Sequence, residues 1–416
     1  VRIALVTDYY LPTLGGVQTA VRALAETLTA AGHEVTVFCP LTTPSTDPGV
    51  VGLPVSPVFR PDGYPFAWSP RRLRRLLRRE FAARGVEVVH THSEMFAALG
   101  GVRAAHDLGL PVVHTMHGRI DVYTRNVLPL PAVTTVLLAA LHGRQISHDG
   151  IRVAGDRPYT RTRTGRRMWR VMLAQSRAST HVVVPSGHFA QKLVDQGVRT
   201  PVTVLTNGIE TSVLDAIGTV PARTLRADEP LRILWVGRLS PEKRPDVLVR
   251  AAHAFPPGVQ VDVHGDGVAR ADVARAAAGA PVTLHGSTPH DGVLDAMRSA
   301  HLLVSSSFDF DNQPMVMLEA IATGLPVLYC DPDLAEVVPE GGGFLAPTPD
   351  AAGLAAVVGR LRADPDAVTR ASEAVLADRG RVAQPTAALV DVYEQAVAAA
   401  RDEGASPPTG RRPLPG

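Results

Sequence analysis

The stretch "AHLLVSSSFDFDNQPMVMLEAIATGLPVLYCD" (residues 300–331) contains one complete strand, loop, helix and strand. "AHLLVSSS" is a short apolar run that reads as a buried strand, and "FDFDNQ" is the loop at its carboxyl end. "PMVMLEAIATG" opens a helix with Pro314 at or near the first turn, where a missing N–H is harmless, and Gly324 falls just past its end. "LPVLYCD" then begins the next strand. Asp311 lies in the loop with Asn312, Gln313 and Pro314 behind it, and Glu319 sits about one turn inside the helix. The N–H groups of Met315, Val316 and Met317 are expected to lack intrahelical acceptors. Such a loop can grip the hydroxyls of a sugar and the diphosphate beside them.

The same alternation extends in both directions. Upstream, "RIALVTD", "EVTVFCP", "VEVVHTH", "PVVHTMH", "THVVVPS" and "PVTVLTN" are β-rich runs separated by Ala- and Leu-rich stretches with helical spacing. After "GTVPARTLRADEP" (218–230), which reads as a linker, the pattern restarts with "LRILWVGR", "VQVDVHGDG" and "PVTLHGS", and it ends with "GGGFLAP". Unbroken β-branched runs between helices imply parallel strands covered on both faces. The expected fold class is therefore α/β, with two facing Rossmann-like doubly wound domains at 1–217 and 231–385. A chain of 416 residues also exceeds what one core usually organises. "TAALVDVYEQAVAAARDEG" (386–404) is expected to pack back on the first domain, and residues 405–416 to form a disordered tail. A ligand is expected between the domains, beyond the carboxyl ends of the strands.

Net charge is only +2, but residues 1–220 hold 24 Lys and Arg against 15 Asp and Glu, while the remainder holds 18 against 25. The first half is thus the candidate for an anionic surface. Its arginines cluster in "SPRRLRRLLRREFAARG" (69–85) and "RPYTRTRTGRRMWR" (157–170), without the stacking aromatics of a nucleic-acid site. In the first cluster Leu73, Leu76, Leu77 and Phe81 interleave with Arg71, Arg72, Arg75 and Arg78, as at a membrane surface or acceptor-facing patch. The alternative is a core-facing leucine stripe with solvated arginines. The longest apolar run (127–143) carries two prolines and is too short to span a bilayer. The opening "VRIALVTDYYLP" reads as a strand rather than a secretory segment, and Cys39 and Cys330 lie far apart. These features point to the cytoplasm, with peripheral attachment at the inner membrane face as an extension.

Other unusual residues collect at strand ends. Gly15 and Gly16 follow the first strand, where glycine lets backbone N–H groups approach an anion at a helix start. In "WVGRLSPEKRP" (235–245) Arg238 and Lys243 flank a strand-to-helix turn, an arrangement suited to neutralising a diphosphate leaving group. His90, His92 and Glu94 end one strand, and His114 and His117 end the next. Zinc is disfavoured by the spacing, so a substrate hydroxyl is the expected partner for one of them. An acid pair at Asp309 and Asp311 also matches a metal-holding pattern, disfavoured because Arg238 and Lys243 already supply positive charge.

Taken in order, "PTLGGVQ", "HTHSE", "HTMHG", "PSGHFAQKLVDQGV", "LTNGIE", "VGRLSPEKRP", "HGDG", and acid-x7-Glu followed by "AIATGLPV" resemble the retaining GT-B glycosyltransferases of family 4. The resemblance spans roughly residues 1–350. It implies a nucleotide-sugar donor, UDP- or GDP-hexose, held without metal or other cofactor. Arg238 and Lys243 would then bind the diphosphate, Gly16 would line its pocket, and Glu319 would hold the ribose. Asp311 would hold the transferred sugar, and His117 would lie near its reacting carbon. The family's usual first acid is Glu, whereas this chain has the shorter Asp311. "HTHSEMFAALGGVRAAHDLGLPVVHTMHGRIDVY" particularly resembles members that glucosylate diacylglycerol, so a membrane lipid or a small soluble molecule is the expected acceptor. A nucleotide-sugar epimerase and a non-catalytic nucleotide-sugar-binding protein remain the rivals.

Overall fold

In the computed structural model the described residues are 1–10, 15–58, 60 and 65–405. The "PTL" of the first glycine turn and all but the first residue of the expected tail fall outside them. The chain forms two compact units: residues 1–210 with 384–416, and residues 211–383. The stretch 218–230, expected as a linker, lies within the second unit.

Seven strands form the first sheet: β1 (Arg2–Val6), β2 (Glu34–Pro40), β3 (Val50–Leu53), β4 (Val88–Thr91), β5 (Val112–Thr115), β6 (His181–Val184) and β7 (Val202–Val204). Their order is β3-β2-β1-β4-β5-β6-β7, and every pairing is parallel. The direction of winding reverses between β1 and β4, so helices leave on opposite sides and a crevice opens beyond those two strand ends. Side chains alternate along β1. Ile3 and Leu5 join Val21, Leu24 and Leu28 of helix Gly16–Ala30 and Leu389, Val392 and Tyr393 of helix Thr386–Ala405. Ala4 and Val6 face the other way, onto Leu73, Leu77 and Phe81 of helix Pro70–Ala83 and Leu99 and Val102 of helix Phe96–Leu108.

That packing settles the first arginine cluster. Leu73 and Leu77 are fully buried and Phe81 nearly so, while Arg71, Arg72, Arg75 and Arg78 are exposed. The leucines that a membrane-surface reading turns outward are core, and the arginines form a solvated face. Among the described residues no helix is long and apolar enough to cross a membrane.

The second sheet has six strands: β8 (Leu231–Val236), β9 (Val259–His264), β10 (Val282–Gly286), β11 (Leu302–Ser305), β12 (Val327–Tyr329) and β13 (Gly343–Leu345). Their order is β10-β9-β8-β11-β12-β13, again all parallel, with the reversal between β8 and β11. Twelve of the strands are those expected from sequence. The additional one, β3, is an edge strand whose "VVGL" is short and follows a turn-rich Thr, Pro and Ser stretch.

Candidate functional site

At the reversal point of the second sheet, two loops meet. The chain leaves β8 through Gly237 and Arg238, makes a 3-10 turn at Pro241–Lys243, and starts helix Pro245–Ala252 after Arg244, whose φ is 52°. Space there is set by Gly265, at φ 142°, where an added Cβ would lie 1.8 Å from the Gly237 carbonyl oxygen. Only glycine lets the β9 loop lie against the backbone that launches Arg238. Leu239 N–H in turn donates to the Asp266 carbonyl at 2.9 Å.

The other loop leaves β11 and carries the acids. Ser306 joins the two: its hydroxyl accepts from Trp235 Nε1 at 2.9 Å and donates to the Lys243 carbonyl at 2.8 Å. Lys243 Nζ reaches across to Asp311 Oδ1 at 2.6 Å and stands 5.3 Å from the centre of the Phe310 ring. Asp311 Oδ2 is buried without a hydrogen-bond partner. A buried carboxylate oxygen without a donor costs free energy, so the loop leaves one polar demand of its own unmet here. With its other oxygen on Lys243, the Asp309/Asp311 metal alternative gains no support from the geometry.

Arg238 is held from behind by Glu242, whose Oε1 accepts from Arg238 Nη2 at 3.1 Å and from the Ser240 hydroxyl at 2.7 Å. Glu242 is 4% exposed. The sequence marks this acid only by its place between Arg238 and Lys243 in "RLSPEK". Glu319 is buried on its helix and accepts from His290 Nε2 at 2.9 Å, a partner for which the sequence carries no mark. Asp331 was also missed. It accepts from the N–H groups of Asp309 (2.7 Å) and Asp333 (3.0 Å), fixing Asp309 at φ 49°.

The acid-bearing helix spans Met315–Ala322, with Pro314 as its N-cap and Gly324 at φ 69° just beyond it. One expectation changes: Met317 N–H donates to the Pro314 carbonyl at 3.0 Å and is not available to a ligand. A tight first turn accounts for it, leaving Met315 and Val316 as the N–H groups without intrahelical acceptors. Asn312 and Gln313 are buried in the loop before it.

In the first unit the expected polar residues gather beyond β1, β4 and β5. His90 is spent inside the domain, between Tyr393 Oη (2.8 Å) and Thr115 Oγ1 (2.6 Å). On the opposite face His114 Nδ1 pairs with Thr91 Oγ1 at 2.8 Å, and its Nε2 lies 3.6 Å from Glu94 Oε1. His92 Nδ1 and His117 Nε2 are 3.0 Å apart with stacked rings. Burial, reinforced by neighbouring imidazoles, holds His90 and His92 well below the usual histidine range. Burial, then His114, lowers His117 to about 3. All three are neutral near neutral pH. His92 Nε2 is buried without a partner, and a bare lone pair there costs less than a stranded N–H. His92 therefore donates through Nδ1, and His117 keeps its own proton on Nδ1.

Gly15 is the N-cap of helix Gly16–Ala30 at φ 173°, extended backbone open to any residue, so its glycine is not demanded by conformation. Among the described residues no three His, Cys, Asp or Glu side chains converge as a metal site. Asp8, another missed residue, accepts from the Ser93 hydroxyl and from Ala97 and Ala98 N–H groups, capping helix Phe96–Leu108.

Two family models match the chain: one described as Glycosyltransferase Family 4 over residues 14–213, and one described as Glycosyl transferases group 1 over residues 230–364. Over 375 residues the chain is 28% identical to a GDP-mannose-dependent alpha-mannosyltransferase of Mycobacterium tuberculosis (strain CDC 1551 / Oshkosh), covering 83% of this chain and 84% of that protein. A 139-residue stretch is 31% identical to an alpha-monoglucosyldiacylglycerol synthase of Streptococcus pneumoniae (strain ATCC BAA-255 / R6), covering 30% of this chain and 29% of the other. Among solved structures, a sucrose-phosphate synthase from Thermosynechococcus elongatus shares the fold with a TM-score of 0.65 at 21% identity, covering 96% of this chain and 99% of that one.

Proposed function

Because the chain belongs to glycosyltransferase family 4, with its two-domain GT-B fold and transfer of sugar from a nucleotide sugar to an acceptor, we propose a retaining hexosyltransferase that works without metal. The observation that carries the reading is Asp311: one oxygen is on Lys243 and the other is buried without a hydrogen-bond partner, and we assign that oxygen to a sugar hydroxyl. Arg238 and Lys243 bind the diphosphate and offset the charge that grows on it as the glycosidic bond breaks. Glu319, oriented by His290, takes the ribose hydroxyls. The N–H groups of Met315 and Val316 lie at a helix start, which favours an anion. The leaving diphosphate accepts the acceptor hydroxyl's proton on the same face of the sugar, so configuration is kept and no protein base is required. In the first domain, we assign His117, held against His92, to the sugar near its reacting carbon.

The near-full-length likeness to a GDP-mannose-dependent enzyme makes GDP-mannose the first donor to try. The likeness to a diacylglycerol glucosylating enzyme is confined to about a third of the chain and supports a lipid acceptor as the second step. We place the reaction in the cytoplasm, a reading consistent with the free buried thiols Cys39 and Cys330. The test is a thermal-shift series of UDP, GDP, ADP and their hexose conjugates in EDTA, followed by transfer assays with the donor that stabilises the protein. Stabilisation by one nucleotide series is expected through mass action. No shift with any of them, or transfer only after divalent metal is restored, would sink this reading.

A further inference from the structure

Helix Pro131–Gly143 turns large aliphatic side chains outward. Leu130, which precedes it, is 75% exposed, and Val133, Val136 and Leu137 are 56%, 46% and 58% exposed. The opposite side is anchored by Thr135, fully buried, whose hydroxyl accepts from Arg167 Nη1 at 2.7 Å. Helical spacing puts 133, 136, 137 and 140 on one outward face, and a grouped apolar face of this kind marks an interaction surface.

Charge identifies what it meets. No acid occurs between Asp121 and Asp149, and Asp121 itself is buried on Arg119. Exposed Arg125 and Arg144 bracket the helix, and helix Arg163–Arg177, tied to it through Arg167, exposes Arg163 and Arg170. Residues 157–177 hold seven arginines and no acid. A second copy facing this ridge with its own ridge would bring like charges together. Anionic lipid offers both an apolar layer for the ridge and phosphates for the arginines.

We propose that helix Pro131–Gly143 is the face by which this chain docks on an anionic bilayer, with Leu130, Val133, Val136 and Leu137 entering the headgroup region. Helix Pro70–Ala83 cannot serve in this way, because its apolar side chains are already core. Docking is read without turnover, so its failure leaves the transferase reading standing.

The experiment is flotation of the full chain with phosphatidylcholine vesicles with and without phosphatidylglycerol, at low and high salt. Binding is expected only to the anionic vesicles and is expected to weaken with salt. The doubly substituted V133D/L137D protein is expected to bind at least about tenfold more weakly, since it loses two inserted aliphatic groups. Both positions are exposed, and an unchanged thermal midpoint would confirm that the variant folds. The proposal is overturned if the wild-type protein ignores anionic vesicles or if V133D/L137D binds as well as wild type. It is equally overturned if light scattering shows a wild-type dimer that V133D/L137D converts to monomer, which would give the ridge to a second copy.

Discussion

Lys243 Nζ donates to Asp311 Oδ1 over 2.6 Å, and this contact joins the loop leaving β8 to the loop leaving β11. Lys243→Ala removes the cation proposed to meet the diphosphate and also strands a carboxylate that has only one other, unpartnered oxygen. Transfer, read as kcat/KM, is expected to fall about 10²- to 10³-fold. Because the two groups act as a unit, Lys243→Ala combined with Asp311→Ala should be little worse than the poorer single variant. Glu319→Ala should also cut transfer sharply; wild-type rates in Lys243→Ala and Glu319→Ala would remove the site assignment.

Glu242 holds Arg238 through one hydrogen bond and is itself almost fully buried. Glu242→Gln keeps a partner for the Ser240 hydroxyl but withdraws the charge that steadies the guanidinium. The donor KM is expected to rise roughly tenfold and kcat to fall with it, because Arg238 both binds the diphosphate and offsets the charge that grows on it. Steady-state kinetics with varied donor would show it, and a fall confined to kcat would contradict it.

Two glycines should respond in opposite directions. Gly265→Ala drives a Cβ to 1.8 Å from the Gly237 carbonyl oxygen at φ 142°, so a loss of about 3 kcal/mol or more is expected. Gly359, in helix Ala351–Ala363, has open space where its Cβ would be, and Gly359→Ala should add about 0.5–1 kcal/mol. Urea unfolding of both variants measures the pair.

Strand positions and the cation-bearing and acid-bearing loops were legible because each depends on local pattern: β-branched runs, Pro314 before a helix and Gly324 after it. Glu242, His290 and Asp331 were not. Their importance comes from partners that the fold brings near, as when His290 meets Glu319 from another helix. The membrane-surface reading of residues 69–85 failed for a related reason. An amphipathic stripe shows that a helix has an apolar face, but the sheet on which Leu73 and Leu77 pack lies elsewhere in the sequence.

Acid should weaken the fold through the buried imidazoles. His117 and His142 are lowered to about 3, and His90 and His92 lie well below their usual range, all chiefly by burial. Below about pH 6.5 the unfolded chain binds protons that the folded one refuses, so stability present above that pH is lost as pH falls toward 3. Each such histidine contributes a slope of about 1.4 kcal/mol per pH unit. Asp8, raised by burial, opposes this, because its protonation in the fold is favoured on acidification. Urea unfolding between pH 7 and 5 should show a falling midpoint, and His117→Gln should flatten the slope by one proton's worth.

Helix Thr386–Ala405 gives Leu389, Val392, Tyr393 and Ala396 to the core built around Ile3 and Leu5, and its Tyr393 hydroxyl closes the His90 chain. During synthesis the first sheet leaves the ribosome early but waits for helix Thr386–Ala405 before its apolar face is covered. The second unit, whose residues run without interruption from 211 to 383, has no such delay. On the ribosome, the domain made first is therefore completed only after the second, and the exposed β1 face is the surface a chaperone has reason to shield until helix Thr386–Ala405 emerges.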